Sequence, residues 1–340
     1  MFTATIKPNS ISVRYRERSL GAHGEWAKKL MENTPQSQIN LRTPRSSWSL
    51  SYQSRTKLLD SVNFLHSTSR ARTISVSYNK KIYGFKSSFI TLTLPSTQIH
   101  SDIIIKSCLN NFLVKMRNIY ALKNYVWKAE LQANDNIHFH LVFDVFIHHK
   151  AIRFYWNQSI EVLGYVSRYQ SKFAGMTLLE YAESRGIGVS QAISGFQYGN
   201  STHWKSPSTE QAITIHSSGE LGGYLSKYMV KGSGKTIDVQ GSSDPKEYIS
   251  IKNLVRIRRF GRVWGRSQSL SRIKYVSHWD WSSLQQYLLS ISRDLSGLHE
   301  KIYDYCTVYY YDYKLKDNSI RRFLDLQMRE LAVTYEYIFP

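Results

Sequence analysis

Two tyrosines and two lysines form a repeated Tyr-x-x-Lys pattern in the stretch YLSKYMVK. Tyr224 and Tyr228 are four residues apart, as are Lys227 and Lys231. On a helix, residues i and i+4 lie on one face one turn apart, so the two phenols would face the same point in space, with the lysines on the flank. The pattern indicates either a pair of phenol nucleophiles beside cations or an exposed amphipathic helix with chance tyrosines and lysines.

The stretch GSGKT, which follows directly, resembles the end of a nucleotide-binding P-loop. Gly234, Lys235 and Thr236 fit that motif, but its first glycine would stand at position 229, which is Met229. The preceding segment also has the pattern of a helix, whereas a P-loop follows a buried strand. We therefore predict no ATP site and interpret GSGKT as a glycine-rich exit from a helix.

A histidine pair with strand spacing occurs in the stretch IHFH. Alternation along a strand puts His138 and His140 on one face and Ile137, Phe139 and Leu141 on the opposite, apolar face. Two imidazoles side by side form a metal-chelating pair, although two exposed surface histidines would give the same pattern.

Glu130 can provide a third ligand. It lies on the preceding strand, and hairpin geometry can bring it beside the histidine pair. Two imidazoles and a carboxylate leave coordination positions open and suit Mn²⁺, or Mg²⁺ if waters complete its shell. Such a cation polarises a phosphodiester for attack by a phenol, which is a poor nucleophile because its pKa is about 10. The lysines would add positive charge near the phosphate.

The elements around these residues predict an α+β fold. The order strand, helix, strand, strand, helix is typical of a ferredoxin-like (RRM-like) sandwich with a central antiparallel sheet. Residues 183–218 are predicted to be rich in loops, and a short helix is predicted at 219–231. The other predicted elements are strands in TISVSY and KSSFITLTLP, a helix from Ser101 or Asp102 to about residue 123, a hairpin of YVWKAELQ and IHFHLVFDVFI turning at ANDN, and a helix in KAIRFYWNQSIEVLG.

The charge of the chain indicates a polyanionic partner, with nucleic acid first and an anionic membrane surface second. The 340 residues carry a formal net charge of +20, and the sequence pI is near 9.8. Residues 1–86 hold 15 basic and 4 acidic side chains, and residues 246–274 hold 9 and 1, whereas 281–340 is close to neutral. We expect three regions: a basic, partly disordered arm at 1–71, a catalytic domain at 72–275 and a helical region at 276–340.

Two distant cysteines, Cys108 and Cys306, can build neither a disulfide framework nor a cysteine-based metal site. No apolar run approaches membrane-spanning length, and no signal peptide opens the chain. We therefore expect a cytoplasmic protein with no membrane partner, in a bacterial host cell.

Three motifs in order resemble the HUH endonucleases, and within them the rolling-circle replication initiators (Rep proteins) of the two-tyrosine class, which include phage gene A proteins. FITLTLP is similar to the first motif, IHFH with Glu130 to the metal motif, and YLSKYMVK to the nucleophile helix. GRVWGRSQSLS is similar to a segment downstream of the nucleophile. The resemblance covers about residues 75–275. Residues expected to contact DNA are Thr91, Thr93, Arg256, Arg258, Arg259, Arg262 and Arg266.

The resemblance implies an enzyme that nicks one strand of single-stranded origin DNA and stays attached to the 5′ end through phosphotyrosine. The freed 3′-OH would prime a host polymerase, with unwinding by a host helicase, and the second tyrosine would later rejoin the ends. Because the tyrosine bond stores the phosphodiester energy, no ATP is needed. Oligomerisation is possible on this basis.

Two other classes remain open from the sequence. A two-tyrosine transposase or relaxase would share the same residues. A non-catalytic RRM-like nucleic-acid-binding protein would instead carry stacking aromatic residues on the sheet face where the histidines lie.

Overall fold

A computed structural model describes residues 2–8, 10–15, 50, 52–76, 81–132, 134–215, 221, 262–273, 277–291, 298–303, 306–311 and 319–334. A π-helical turn at Gly199–His203 follows the sixth α-helix. In chain order, the described elements are β1 (Phe2–Lys7), β2 (Ser10–Tyr15), α1 (Tyr52–Thr68), β3 (Arg72–Val76), β4 (Lys81–Phe85), β5 (Ser87–Leu92), α2 (Asp102–Tyr120), β6 (Tyr125–Leu131), β7 (Ile137–Phe143), α3 (His149–Glu161), α4 (Tyr165–Phe173), α5 (Leu178–Arg185), α6 (Val189–Tyr198), β8 (Glu210–Ile215), β9 (Trp264–Arg266), α7 (Gln268–Arg272), β10 (Ser277–Asp280), α8 (Trp281–Ile291), β11 (Leu298–Tyr303), β12 (Cys306–Tyr311) and α9 (Ser319–Thr334).

The chain divides into two compact units. The first unit comprises the described residues within 1–68 and 272–337, and the second comprises those within 69–233 and 258–271. Each unit contains helices and an antiparallel sheet, so the predicted α+β class is confirmed.

The first unit contains an antiparallel sheet with the strand order β10-β1-β2-β12-β11. Strands from the beginning of the chain therefore lie between strands from its end. The buried guanidinium of Arg321 in α9 joins three segments, because it donates to the carbonyl of Pro8 (3.2 Å) and to Ser67 Oγ (2.8 Å) and pairs with Asp325 (2.9 Å).

The prediction of a loop or disordered arm before residue 72 is wrong for β1, β2 and α1. The apolar residues of the two strands are few, and their partner strands lie almost 300 residues away, so no local pattern marks them. Helix α1 buries polar side chains such as Ser61, Asn63 and His66, which weakens its periodicity. Residues 16–49 lie outside the described part of the chain. The domain boundaries at 71 and 275 remain a prediction.

The end of the chain is also richer in structure than predicted. Helices α8 and α9 fall within the two segments predicted to be helical, but the hairpin of β11 and β12 was missed. Residues 183–218 are not mainly loop, because α6, the π-helical turn and β8 occupy most of this stretch. A small aromatic core of Phe173, Tyr181, Phe196 and Trp204 holds the helical segment together.

The second unit is built on an antiparallel sheet with the order β8-β5-β7-β6-β9. The predicted hairpin is present as β6 and β7, and Asp135 in its turn has a φ of 61°, as a tight turn requires. One face of the sheet, here the helix face, packs on α2 and α3: the rings of Phe139 and Trp156 have centroids 6.0 Å apart, and Phe112 lies 5.9 Å from Trp156. The opposite face, here the site face, carries the histidine pair.

Strand β9 closes the edge of this sheet beside β6, and it does so at very close range. A Cβ on Gly265 would lie 2.7 Å from Nε1 and 2.9 Å from Cε2 of the Trp127 indole. We expect Gly265→Ala to destabilise the protein by about 1–3 kcal/mol, because the ring is packed and cannot retreat without strain. Chemical denaturation measures this, with Gly188→Ala as the control, since a Cβ there meets nothing within 4 Å. Equal stabilities for the two variants would contradict the close packing of β9.

A buried carboxyl lies just after β7. Asn124 Nδ2 donates to Asp144 Oδ2 at 2.8 Å, whereas Asp144 Oδ1 has no hydrogen-bond partner. Burial raises the pKa of Asp144 from 3.8 to about 6, although the bond from Asn124 and the charge of Arg72 oppose the shift.

This carboxyl should make folding stability depend on pH. Asp144 is protonated in both states below pH 4. As the pH rises toward 6 the unfolded chain releases the proton first, so stability is lost across that window. Relative to the unmodified protein, Asp144→Asn should therefore be more favourable at pH 7 than at pH 4, by up to about 3 kcal/mol. Urea unfolding at both pH values measures this difference. The exposed Glu183→Gln should show none, and a pH-independent effect of Asp144→Asn would contradict the argument.

Candidate metal centre

The hairpin of β6 and β7 brings the three predicted metal ligands together. Glu130 on β6 stands directly opposite His138 on β7, and His140 follows two residues later on the same face. The apolar residues between them face α2 and α3, as the alternation predicted. Burial of that apolar face therefore fixes the register that turns the two imidazoles and the carboxylate toward one another.

The distances within this group are short. Glu130 Oε2 lies 3.1 Å from His140 Nε2 and 3.6 Å from His138 Nε2, and the two imidazole centroids are 4.4 Å apart. One ligand atom from each residue lies within 4.8 Å of the other two. Such convergence would allow all three side chains to coordinate one cation.

The protonation of the group also suits a cation. Burial, together with the charges of His138 and Lys128, lowers the pKa of His140 to about 4 although Glu130 opposes the shift, so the imidazole is neutral at pH 7. Burial alone would raise the pKa of Glu130, but the neighbouring imidazoles and the charge of Lys128 outweigh it and hold the pKa at about 2. A neutral imidazole and an ionised carboxylate are the forms that bind metals.

His138 provides a direct test of whether the group fits a metal. Both of its ring nitrogens are buried and neither makes a hydrogen bond. Buried polar atoms are normally satisfied, so an orphaned imidazole beside a carboxylate and a second imidazole indicates a missing partner. A divalent cation would complete this set, and the nitrogen and oxygen donors are compatible with Mn²⁺ or Mg²⁺.

The residues predicted to contact DNA occupy different environments. Thr91 is buried, and its hydroxyl lies 3.0 Å from His140 Nδ1, so it belongs to the candidate metal centre. The Thr93 hydroxyl donates to the carbonyl of Thr209. Arg262 is exposed at the start of the β9 segment, and Arg266 lies opposite Val126 in the sheet.

The remaining predicted residues lie outside the described part of the chain. They are Tyr224, Lys227, Tyr228, Lys231, Arg256, Arg258 and Arg259. Leu221, three residues before Tyr224, is described: its backbone is helical and its side chain is buried.

Two further residues of the centre were not predicted as site residues. Lys128 is 1% exposed and stands directly opposite His140 in the sheet, so it places a cation inside the site face. Phe89 stacks on His140 with centroids 5.5 Å apart and an interplanar angle of 24°. Strand alternation already put Lys128 on the face of Glu130, which was the available signal. Phe89 could be found only from the pairing of β5 with β7.

None of the described helices combines the length and the apolar character needed to cross a bilayer.

Comparison with known proteins adds one finding. Residues 87–233 match a family model of replication-associated proteins of the ORF2 type. The match spans less than half of the 340 residues, and it includes β5 to β8, the candidate metal centre and the stretch YLSKYMVK. The similarity supports a replication-associated role. Searches of curated proteins and of solved structures found no match to the chain.

Proposed function

We propose that this protein initiates rolling-circle replication by nicking single-stranded origin DNA with a tyrosine, and later rejoins the ends. The observation that carries the proposal is the convergence of Glu130, His138 and His140, with both nitrogens of His138 left without a hydrogen bond. The family match supports the replication role, because it covers this centre and extends through the tyrosine pair.

The finer fold in this proposal is a ferredoxin-like HUH domain. Its support is an antiparallel sheet with β5 and β7 paired in the middle and with α2 and α3 on one face only. A one-sided layer of helices leaves the site face to the ligands. This arrangement suits an enzyme that must admit a strand of DNA to a metal centre.

In the proposed reaction, the phenol oxygen of Tyr224 or Tyr228 attacks the scissile phosphorus. A bond forms between the tyrosine oxygen and phosphorus while the bond from phosphorus to the 3′ oxygen breaks. The phenol proton is lost, and the 3′ oxygen leaves with a proton as a free hydroxyl. The phosphodiester is exchanged for a phosphotyrosine ester, so no ATP enters the balance.

The residues of the chain have separate tasks in this reaction. Glu130, His138 and His140 would hold a divalent cation, which when bound supplies positive charge to the phosphate oxygens. Lys227 and Lys231, one helical turn apart, add charge beside the attacking phenols. The buried Lys128 stands next to His140 and contributes a fixed positive charge to the same face.

The proposal assigns the protein to the two-tyrosine class because Tyr224 and Tyr228 are spaced for one helical face. One phenol would nick, and the second would cleave the regenerated origin so that the ends can be rejoined. Partners would be single-stranded origin DNA, a host polymerase and a host helicase, in the cytoplasm of the host cell. A non-catalytic RRM-like protein is disfavoured, because Phe89 on the site face is 2% exposed and unavailable to stack a base.

Incubation of the full chain with Mn²⁺ and a labelled library of single-stranded origin sequences tests the proposal. We expect a covalent protein–DNA adduct that mass spectrometry locates on Tyr224 or Tyr228, together with a new free 3′-OH. Cleavage without an adduct would indicate hydrolysis by water instead. Binding without cleavage across the library would favour a non-catalytic role.

A further inference from the structure

We infer that Thr91 is a positioning residue that holds the imidazole of His140 in the orientation a metal ligand needs. Thr91 stands directly opposite His140 where β5 pairs with β7, and its Oγ1 lies 3.0 Å from His140 Nδ1. Both side chains are buried. The inference rests on the proposed metal centre and names a part of it that neither the family match nor the sequence motifs assign.

Three contacts fix the ring of His140. Phe89 stacks on it, Thr91 contacts Nδ1, and Glu130 Oε2 lies 3.1 Å from Nε2. His138 differs, because neither of its nitrogens makes a hydrogen bond. His140 is therefore the pre-oriented ligand of the pair, whereas His138 has no hydrogen bond to hold its ring. Loss of the Thr91 contact should weaken metal binding through His140.

A hydroxyl suits this position because it can both donate and accept. Without a metal, the ionised Glu130 accepts from Nε2–H of His140, so Nδ1 carries no proton and accepts from the hydroxyl of Thr91. A cation at Nε2 requires that nitrogen to be bare. The ring proton then resides on Nδ1, the number of protons on the neutral ring is unchanged, and Thr91 accepts instead of donating. Valine has the shape of threonine but could do neither.

This role differs from the DNA contact that the sequence predicted for Thr91. A DNA-contacting hydroxyl would affect DNA binding whether or not a metal is present. A positioning hydroxyl would affect metal affinity without any DNA. The two roles can therefore be separated by measuring each affinity alone.

The test is calorimetric titration of the full chain with Mn²⁺ in the absence of DNA, on the unmodified protein, Thr91→Val and Thr91→Ser. We expect Thr91→Val to weaken the Kd for Mn²⁺ by about 10- to 100-fold, the scale for loss of a group that orients a ligand. Thr91→Ser keeps the hydroxyl and should stay within about 3-fold of the unmodified protein. An unchanged Kd in Thr91→Val, or an equal loss in Thr91→Ser, would overturn the inference.

Two further measurements keep the outcomes apart. In EDTA, Thr91→Val should bind single-stranded DNA like the unmodified protein; weaker DNA binding with an unchanged Mn²⁺ Kd would make Thr91 a DNA contact. If the unmodified protein itself binds no Mn²⁺, the metal centre of the proposed function fails rather than the role of Thr91. Should Thr91→Val not fold, ¹⁵N NMR of the His140 ring in the unmodified protein decides: we expect the proton on Nε2 without metal and on Nδ1 with Mg²⁺, and the same tautomer in both would refute the inference.

Discussion

Replacing Tyr224 and Tyr228 together with phenylalanine will abolish the covalent protein–DNA adduct and lower nicking by at least about 10³-fold, the scale expected when an enzyme loses its nucleophile. Phenylalanine retains the ring and removes only the oxygen that would attack phosphorus. Binding of single-stranded DNA in EDTA should remain within about 2-fold of the unmodified protein, because the basic charge of the chain is untouched. A denaturing gel with end-labelled DNA measures the adduct, and a filter assay measures the binding.

Single variants sharpen this experiment. If the two phenols act in turn, at least one single variant should still make the first nick but should not release a rejoined circle. Tyr198→Phe, at a tyrosine that is 61% exposed on α6, is the matched control and should behave like the unmodified protein. Nicking that persists in the double variant would show that another group, or water, attacks the phosphate.

Removing the metal centre should have an effect of similar size. We expect His140→Ala to weaken the Kd for Mn²⁺ by more than about 100-fold, since loss of a group that merely orients a ligand costs about 10- to 100-fold. Nicking should stop in this variant and also in the unmodified protein in EDTA, and added Mn²⁺ should restore only the latter. Calorimetry and the gel assay report the two effects separately.

His278→Ala provides the control for a histidine change, because His278 is exposed on β10 of the first unit. Its Mn²⁺ affinity and its nicking should match those of the unmodified protein. Full nicking in EDTA would remove the cation from the reaction and leave Glu130, His138 and His140 with a structural role only.

The geometry of the candidate metal centre could be predicted because it depends on local rules. The turn at residues 133–136 joins two neighbouring strands, and alternation within each strand decides which side chains share a face. These rules place Glu130 beside His138 and His140 without knowledge of the rest of the fold. The α+β class followed in the same way from α2, α3 and the hairpin, whose periodicities are strong.

The contribution of β5 to the centre could not be predicted, because it depends on a pairing across about 50 residues. That pairing places Thr91 on His140 and stacks Phe89 against its ring. The spacing within FITLTLP gives no sign of either contact. The sequence motif suggested a DNA contact for Thr91, whereas burial and the hydrogen bond to His140 assign it to the ligand.

The first unit was missed for a related reason. Its sheet combines strands from the two ends of the chain, so the apolar pattern of each strand is short and its partner is remote. The surplus of basic residues in 1–86 then favoured an arm over a folded element. Charge composition describes the surface of a segment, and it carries little information on whether a few alternating apolar residues find a partner.

The interleaved strand order of the first unit has a consequence for synthesis of the protein. Strands β1 and β2 leave the ribosome early, but β12 and β10, which flank them in the sheet, follow more than 260 residues later. At about 5–20 residues per second, the β1–β2 hairpin waits roughly 15–60 s with both of its edges open. The second unit, encoded in between, can fold during that interval. A cell making this protein quickly must therefore shield an unfinished sheet, and we expect slowed translation or added chaperone to raise its yield more than lowered temperature alone.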